Sequence, residues 1–169
     1  MTTDQLSPDT TMIAITEAVT LGRTGDTETA RTRLLDIWSE LGAAGDPLHR
    51  CSLAHYLADL YDDPARALAW DIRALDAADT LSDDRAQRYH ASLQVAGFYP
   101  SLHLNLADNY RRLGSWEAAT EQLSAARAHL NALPDDAYGE MIRTALDEVA
   151  AATTQRSTER RPSAPGPQS

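Results

Sequence analysis

The chain contains little of several residue types, and each shortage excludes a class of structure or function. It has a single cysteine, Cys51, so no intramolecular disulfide can form. It has no lysine, and its 15 arginines stand against 25 acidic residues, which gives a net charge of −10. Nucleic-acid binding requires a basic face, so we expect no nucleic-acid partner.

Long apolar runs are also missing. No stretch reaches the roughly 18 consecutive apolar residues of a transmembrane helix, and Met1 to Asp4 lack the basic and apolar parts of a secretory signal. We therefore expect a cytoplasmic protein with no membrane partner. Valine, isoleucine and phenylalanine are scarce whereas alanine and leucine are abundant, which favours helices over sheets.

The stretch from His103 to Ala126 has the layout of two helices joined by a tight turn at Leu113-Gly114. It resembles one tetratricopeptide repeat, whose first helix carries large-x2-Leu-small-x2-Tyr and whose second carries Ala-x3-large. The matching residues are His103, Leu106, Ala107 and Tyr110, followed by Ala119, Leu123 and Ala126.

Two weaker copies of this pattern precede it. The first contains Gly25, Ala30, Leu34 and Ile37, and the second contains Leu53, Ala54, Ala67 and Ala74. The resemblance implies an all-α fold with about seven antiparallel helices, which form a short right-handed superhelix of about three repeats. Such repeats cannot each bury an apolar face alone, so they stack on their neighbours.

The stretch from Ser82 to Tyr99 lengthens the interval between the second and third repeats and has helical spacing of its own. It is either a separate helix or the first part of one long helix that is kinked at Pro100 and ends at Leu113. Proline inside a helix costs about 3 kcal/mol. A long helix nevertheless keeps the alternation of helix directions, which favours that interpretation.

The ends of the chain differ in composition from its middle. We expect a frayed N-terminus over residues 1–8, a helical-repeat domain over 9–153 and a disordered tail over 154–169, because the tail lacks apolar residues. The tail carries Arg156, Arg160 and Arg161 against Glu159, so its net charge is +2 while the rest of the chain is near −12.

The resemblance also implies a binding groove, because the first helices of tetratricopeptide repeats line a concave surface. The corresponding residues are Ser52, His55 and Asp59 in the second repeat and Asn105, Asp108, Arg111 and Arg112 in the third. The arginines suit a carboxylate or phosphate, and the aspartates suit a basic segment. The same residues are alternatively solvated and paired along their own helix, as Asp108 with Arg112.

Catalytic and metal-binding patterns are weak. Cys51 has His49 and His55 nearby, but a helical cysteine is usually a small buried hydrophobe. The five histidines form no His-x3-His or His-Glu-x2-His pattern. We therefore expect no enzyme activity, no metal and no cofactor.

The sequence predicts a non-catalytic protein–protein interaction module that binds a peptide or partner protein in the concave groove. An alternative is a small-molecule-binding protein with a sequestering or sensory role, whose pocket lies near Trp70, Tyr89, Phe98 and Tyr99. A third possibility, which follows from charge alone, is an acidic protein that competes with DNA for a basic partner.

Overall fold

The computed structural model describes residues 7–90 and 93–166. These residues contain α-helices and no β-strand, which confirms the all-α expectation. The helices are α1 (Thr10–Arg23), α2 (Thr27–Leu41), α3 (Pro47–Ala58), α4 (Pro64–Thr80), α5 (Asp83–Tyr89), α6 (Tyr99–Arg112), α7 (Trp116–Ala128) and α8 (Ala137–Thr154). Short 3-10 turns at Val95–Gly97 and Leu130–Ala132 precede α6 and follow α7. The expected frayed N-terminus lies outside the described residues, except for residues 7 and 8.

Most of the helices begin at a side chain that caps the first turn. Aspartate carboxylates accept hydrogen bonds from backbone N–H groups of the first turn in five helices, at Asp9, Asp26, Asp46, Asp63 and Asp136. An N-cap of this kind stabilises a helix by about 1 kcal/mol. Much of the acidic surplus therefore has a local role at helix starts.

The helices pack as three consecutive pairs, α1 with α2, α3 with α4 and α6 with α7. The second and third pairs meet through α4 and α6, and α8 packs against α6 and α7. Several apolar side chains that recur at helical spacing, including Ile15, Leu34, Leu57 and Val149, are fully buried. Each such side chain contributes roughly 1.5–3 kcal/mol by leaving water.

The segment between the second and third pairs is not one long helix, so that expectation is wrong. The short helix α5 ends at Tyr89, and a new helix begins at Tyr99. Pro100 lies in the first turn of α6, where its missing N–H removes no intrahelical hydrogen bond. The side chain of Asp83 accepts a hydrogen bond from the backbone N–H of Val95 at 2.9 Å, which joins α5 to the turn before α6.

The additional helix α5 is held by Arg85. Its guanidinium contacts Asp46 at 2.5 Å and Asp9 at 3.3 Å, the residues that cap α3 and α1. His49 Nε2 lies 2.8 Å from the same Asp9 carboxylate. These pairs connect three helix starts, and the adjacent Arg85 charge helps to hold the pKa of Asp46 below its usual value although burial opposes it.

The turn between α6 and α7 depends on Gly114. Its φ of +75° lies in the left-handed region, which a residue with a Cβ adopts only at a cost. This conformation allows Ser115 N to donate to Tyr110 O, and Gly114 N to donate to Arg111 O, each at 2.9 Å. The last carbonyls of α6 are therefore satisfied, and the chain reverses at the position where the repeat pattern predicts a turn.

Candidate functional site

A cavity of about 940 Å³, here called the central cavity, lies between α3, α6 and α8. Four of the predicted partner-binding residues line it, namely Ser52, His55, Asp59 and Asn105. The facing wall is α8, which contributes Tyr138, Met141 and Glu148. The structure therefore brings residues from both predicted first helices to one cavity.

Two further predicted residues lie beside the central cavity. Asp108 and Arg112 line a narrow cleft together with Asp59 and Asn105. The remaining residue, Arg111, is 0 % exposed. The prediction of an accessible Arg111 is therefore wrong, because its side chain points into the protein and is already bonded there.

Arg111 binds the stretch that follows α8, here called the C-terminal segment (residues 155–166). The guanidinium donates to the backbone carbonyl of Ser157 at 2.5 Å and to that of Glu159 at 2.9 Å. It also donates twice to one carboxylate oxygen of Asp108, at 2.9 and 2.7 Å. One buried side chain thus connects α6 to a non-helical stretch about 50 residues further along the sequence.

A set of charged contacts holds the middle of the C-terminal segment. Arg161 lies 3.3 Å from Asp108 and 2.7 Å from Glu148, so it links α6 with α8. The hydroxyl of Ser163 donates to the same Glu148 carboxylate at 2.8 Å. Hydrogen bonds from Ser163 and then Arg161 lower the pKa of Glu148.

The pair between Asp108 and Arg112, the example of pairing along one helix, is not formed. Asp108 pairs instead with Arg111, which is three residues further along α6. Arg112 donates to the backbone carbonyl of Asp62 at 3.0 Å and lies 3.7 Å from its carboxylate. Arg160 of the C-terminal segment approaches the same carboxylate at 3.9 Å.

The far end of the C-terminal segment folds against the end of α3. Arg160 donates to the carbonyls of Ala164 and Pro165, at 3.3 and 2.8 Å. Gly166 has a φ of +101°, and a Cβ there would lie 2.0 Å from the carbonyl oxygen of Asp59, so only glycine fits. The expected disorder of the tail is not confirmed for residues 155–166, while residues 167–169 lie outside the described part of the chain.

Polar side chains form a cluster on the floor of the central cavity. Asp71 reaches it from α4 and is 1 % exposed. Its carboxylate accepts a hydrogen bond from Asn109 at 2.8 Å and lies 3.4 Å from Asn105 Nδ2 and 3.5 Å from His55 Nδ1. Asn105 Nδ2 also lies 3.5 Å from Asp59 Oδ1.

The protonation of this cluster is shifted by its surroundings. Burial raises the pKa of Asp59 to about 6, and the neighbouring charge of Asp71 acts in the same direction. Burial also raises the pKa of Asp71, although hydrogen bonds from His55 and the two asparagines oppose it. Burial alone lowers the pKa of His55, but the Asp71 hydrogen bond and the two carboxylates outweigh it, so the pKa is raised. All three shifts favour the protonated forms, so the cluster carries less negative charge than two solvated aspartates would.

The residues that suggested cysteine chemistry do not form a reactive pair. Cys51 is buried, and burial raises the pKa of its thiol to about 12, so the thiolate is not formed at neutral pH. His49 is bound to Asp9, and His55 belongs to the polar cluster. Within residues 7–90 and 93–166 no group of three or more potential ligands is arranged to hold a metal ion.

The aromatic residues proposed for a small-molecule pocket do not gather around the central cavity. Only Phe98 lines the central cavity. Tyr99 stacks on His129 with ring centroids 4.9 Å apart, and Trp70 packs edge-on against Trp38 at 5.1 Å. Tyr89, at the end of α5, is 43 % exposed.

Sequence reasoning missed the residues that α4, α8 and the C-terminal segment add to the site. Asp71 was missed because it lies on a second helix, which the repeat pattern assigns to the outer surface. Glu148 and Arg161 were missed because a polar tail was expected to be disordered. The available signal was charge, since a tail of net charge +2 follows an acidic body.

No protein-family model, curated protein or solved structure matches the chain. In the described ranges, no helix is both long enough and apolar enough to span a bilayer.

Proposed function

We propose that the protein is a non-catalytic, cytoplasmic protein-interaction module of the tetratricopeptide type, whose central cavity receives an extended segment of a partner protein. The observation that carries the proposal is that a non-helical segment of the chain already lies along this cavity. Arg161, Ser163 and Pro165 of that segment line the cavity, and the buried Arg111 binds the backbone carbonyls of Ser157 and Glu159 just before them. Backbone carbonyls are common to all peptides. A site that binds them through fixed side chains is suited to an extended chain, and neighbouring pockets then select its side chains.

The position of the cavity supports the same function. Its walls include α3 and α6, the first helices of two successive pairs, which line the binding surface in the family that the sequence resembles. Tyr138 and Met141 on the facing wall are 45 % and 57 % exposed, respectively. Exposed tyrosine and methionine side chains are frequent in protein-binding surfaces.

A peptide-display experiment tests this proposal. A library of random dodecapeptides is selected on the full chain, and the affinities of selected peptides are measured by fluorescence anisotropy for wild type and two variants. Thr144→Trp fills the cavity, because Thr144 is exposed and lines it. Thr32→Trp adds the same bulk to an exposed position on α2, away from the cavity.

We expect selected peptides to bind Thr144→Trp at least about tenfold more weakly than Thr32→Trp, which corresponds to about 1.4 kcal/mol. Equal binding by the two variants would place the peptide site elsewhere. Failure to select any peptide would remove the proposal.

A second candidate is a small organic cation, and the cavity itself favours it. A volume of about 940 Å³ is within the range of ligand pockets, and the cavity is lined by Tyr56, Phe98 and Tyr138 with Asp59 at its floor. Aromatic rings and a carboxylate together bind quaternary ammonium groups. Choline and related cations are therefore screened by thermal shift against wild type and Asp59→Asn, and a stabilisation seen only with wild type supports this candidate.

A further inference from the structure

We propose that the partner segment is rich in arginine and proline and that the protein's own C-terminal segment competes with it as an intramolecular ligand. This inference rests on the proposed function and adds the chemistry of the partner. Its basis is that a segment of this composition already lies across the site, with Arg161, Ser163 and Pro165 lining the central cavity.

The charges of the two surfaces are complementary. Arg161 lies between Asp108 and Glu148, and Arg160 lies beside Asp62, so three carboxylates from three parts of the fold meet two consecutive arginines. The tail has a net charge of +2 against a body near −12. A partner with the same charge pattern would be attracted over the same surface.

The composition of the segment is also that of a peptide ligand. Prolines at 162 and 165 restrict the free chain to extended conformations, so little conformational freedom is lost on binding. Gly166 allows the main chain to approach the carbonyl of Asp59 more closely than any other residue would permit. A partner that replaces the segment completely therefore needs glycine at this point.

The C-terminal segment can leave without unfolding the helices. It joins α8 at Gln155. Beyond this junction it is held by two hydrogen bonds from the buried Arg111 and by ion pairs of Arg160 and Arg161, and two of the paired carboxylates, Asp62 and Glu148, are open to solvent. Ion pairs that solvent reaches are individually weak. A segment held in this way exchanges between bound and released states, and only the released state leaves the site open.

Tethering makes the segment an effective competitor. A short tether gives the segment an effective concentration of the order of millimolar. An external peptide can bind only while the site is open, so its apparent affinity is the intrinsic affinity multiplied by the fraction of molecules whose site is open. Weakening the internal segment should therefore increase the apparent affinity for an external copy of it.

The test uses a fluorescent peptide with the sequence of residues 157–166 and a second peptide in which both arginines are alanine. Anisotropy titrations use the full chain as wild type, as Arg160→Ala/Arg161→Ala and as Arg33→Ala/Arg127→Ala. The last variant removes the same charge from exposed positions on α2 and α7. Proteinase K digestion reports whether the segment is released, and circular dichroism confirms that the helices are retained.

We expect the Arg160→Ala/Arg161→Ala variant to bind the arginine-containing peptide at least about tenfold more tightly than wild type and the control variant do. We expect the same variant to bind the alanine peptide at least about tenfold more weakly than the arginine-containing peptide. Equal affinity of wild type and this variant, or a segment that stays protected from protease, would overturn the competition. Equal affinity of the two peptides for this variant would overturn the partner chemistry and leave the proposed function standing. If the segment is released in the variant and the variant binds neither peptide, the inference is overturned. The proposed function is tested separately by the peptides selected from the library.

Discussion

Replacing Arg111 with alanine is expected to destabilise the fold, although the sequence pattern assigns this residue to partner binding. Its side chain is fully buried and donates four hydrogen bonds, two to Asp108 and two to carbonyls of the C-terminal segment. The substitution leaves the Asp108 carboxylate with Arg161 as its nearest positive partner at 3.3 Å. It also removes the contacts that hold residues 157 and 159.

The expected loss follows from the burial of this pair. Removing one partner of a buried ion pair costs about 3–5 kcal/mol. The Asp108 side chain is 12 % exposed and keeps Arg161, so the low end applies and we expect a loss of about 3 kcal/mol in the free energy of unfolding. Arg112→Ala is the matched control. Arg112 contacts a half-exposed aspartate, so its loss is expected to stay below about 1 kcal/mol.

Urea unfolding followed by circular dichroism at 222 nm measures both variants against wild type. Arg111→Ala should lower the midpoint clearly, and proteinase K should then cleave between residues 155 and 166 of the folded variant. If Arg111→Ala and Arg112→Ala are equally stable, or if the segment remains protected in Arg111→Ala, the assignment of Arg111 as the internal anchor is refuted.

Two further substitutions test the polar cluster and the turn. Because burial raises the pKa of Asp59 from 3.8 to about 6, the folded state retains this proton while the unfolded state has lost it, so stability falls as pH rises from about 4 to 6. Urea midpoints measured over a pH series should therefore depend less on pH between about 4 and 6 in Asp59→Asn than in wild type, and the variant should be more stable at pH 7.5 by about 1–3 kcal/mol. An unchanged pH dependence in the variant would contradict the raised pKa of Asp59. Gly114→Ala places a Cβ in ordinary contact with Trp116, so only the left-handed backbone opposes it. Thermal unfolding should show a loss of about 1–2 kcal/mol, and a neutral result would show that the turn does not need glycine.

The parts of the fold that sequence reasoning predicted correctly are those with local signals. Aspartate followed by proline is such a signal, because capping and the proline constraint act within one turn, and α3 and α4 begin at Asp-Pro pairs. Leu113-Gly114 marked the turn after α6 for a similar reason. The prediction of one long kinked helix was wrong because it assumed that every helix belongs to an antiparallel pair. The helix α5 belongs to no such pair.

The candidate site was predicted less completely, because its contacts join distant parts of the chain. The resemblance to tetratricopeptide repeats pointed to six residues of α3 and α6 that lie at the cavity or beside it. Spacing could not show that Arg111 turns inward, since that depends on where the C-terminal segment lies. The ordered conformation of this segment was not predicted, because composition indicates how much apolar surface a segment can bury and does not indicate which side chains bind its backbone carbonyls.

The buried carboxylate of Asp71 also fixes the alignment of the second helix pair with the third. It extends from α4 to Asn109 on α6 at 2.8 Å, across a contact that is otherwise largely apolar. A slide of one helical turn, about 5.4 Å, would break this hydrogen bond and leave an unpaired carboxylate in the interior. Apolar side chains alone tolerate several neighbouring alignments, whereas this polar contact permits one. Because α3 packs on α4, the position of α3 relative to α6, two walls of the cavity, therefore depends on a residue of the helix behind them.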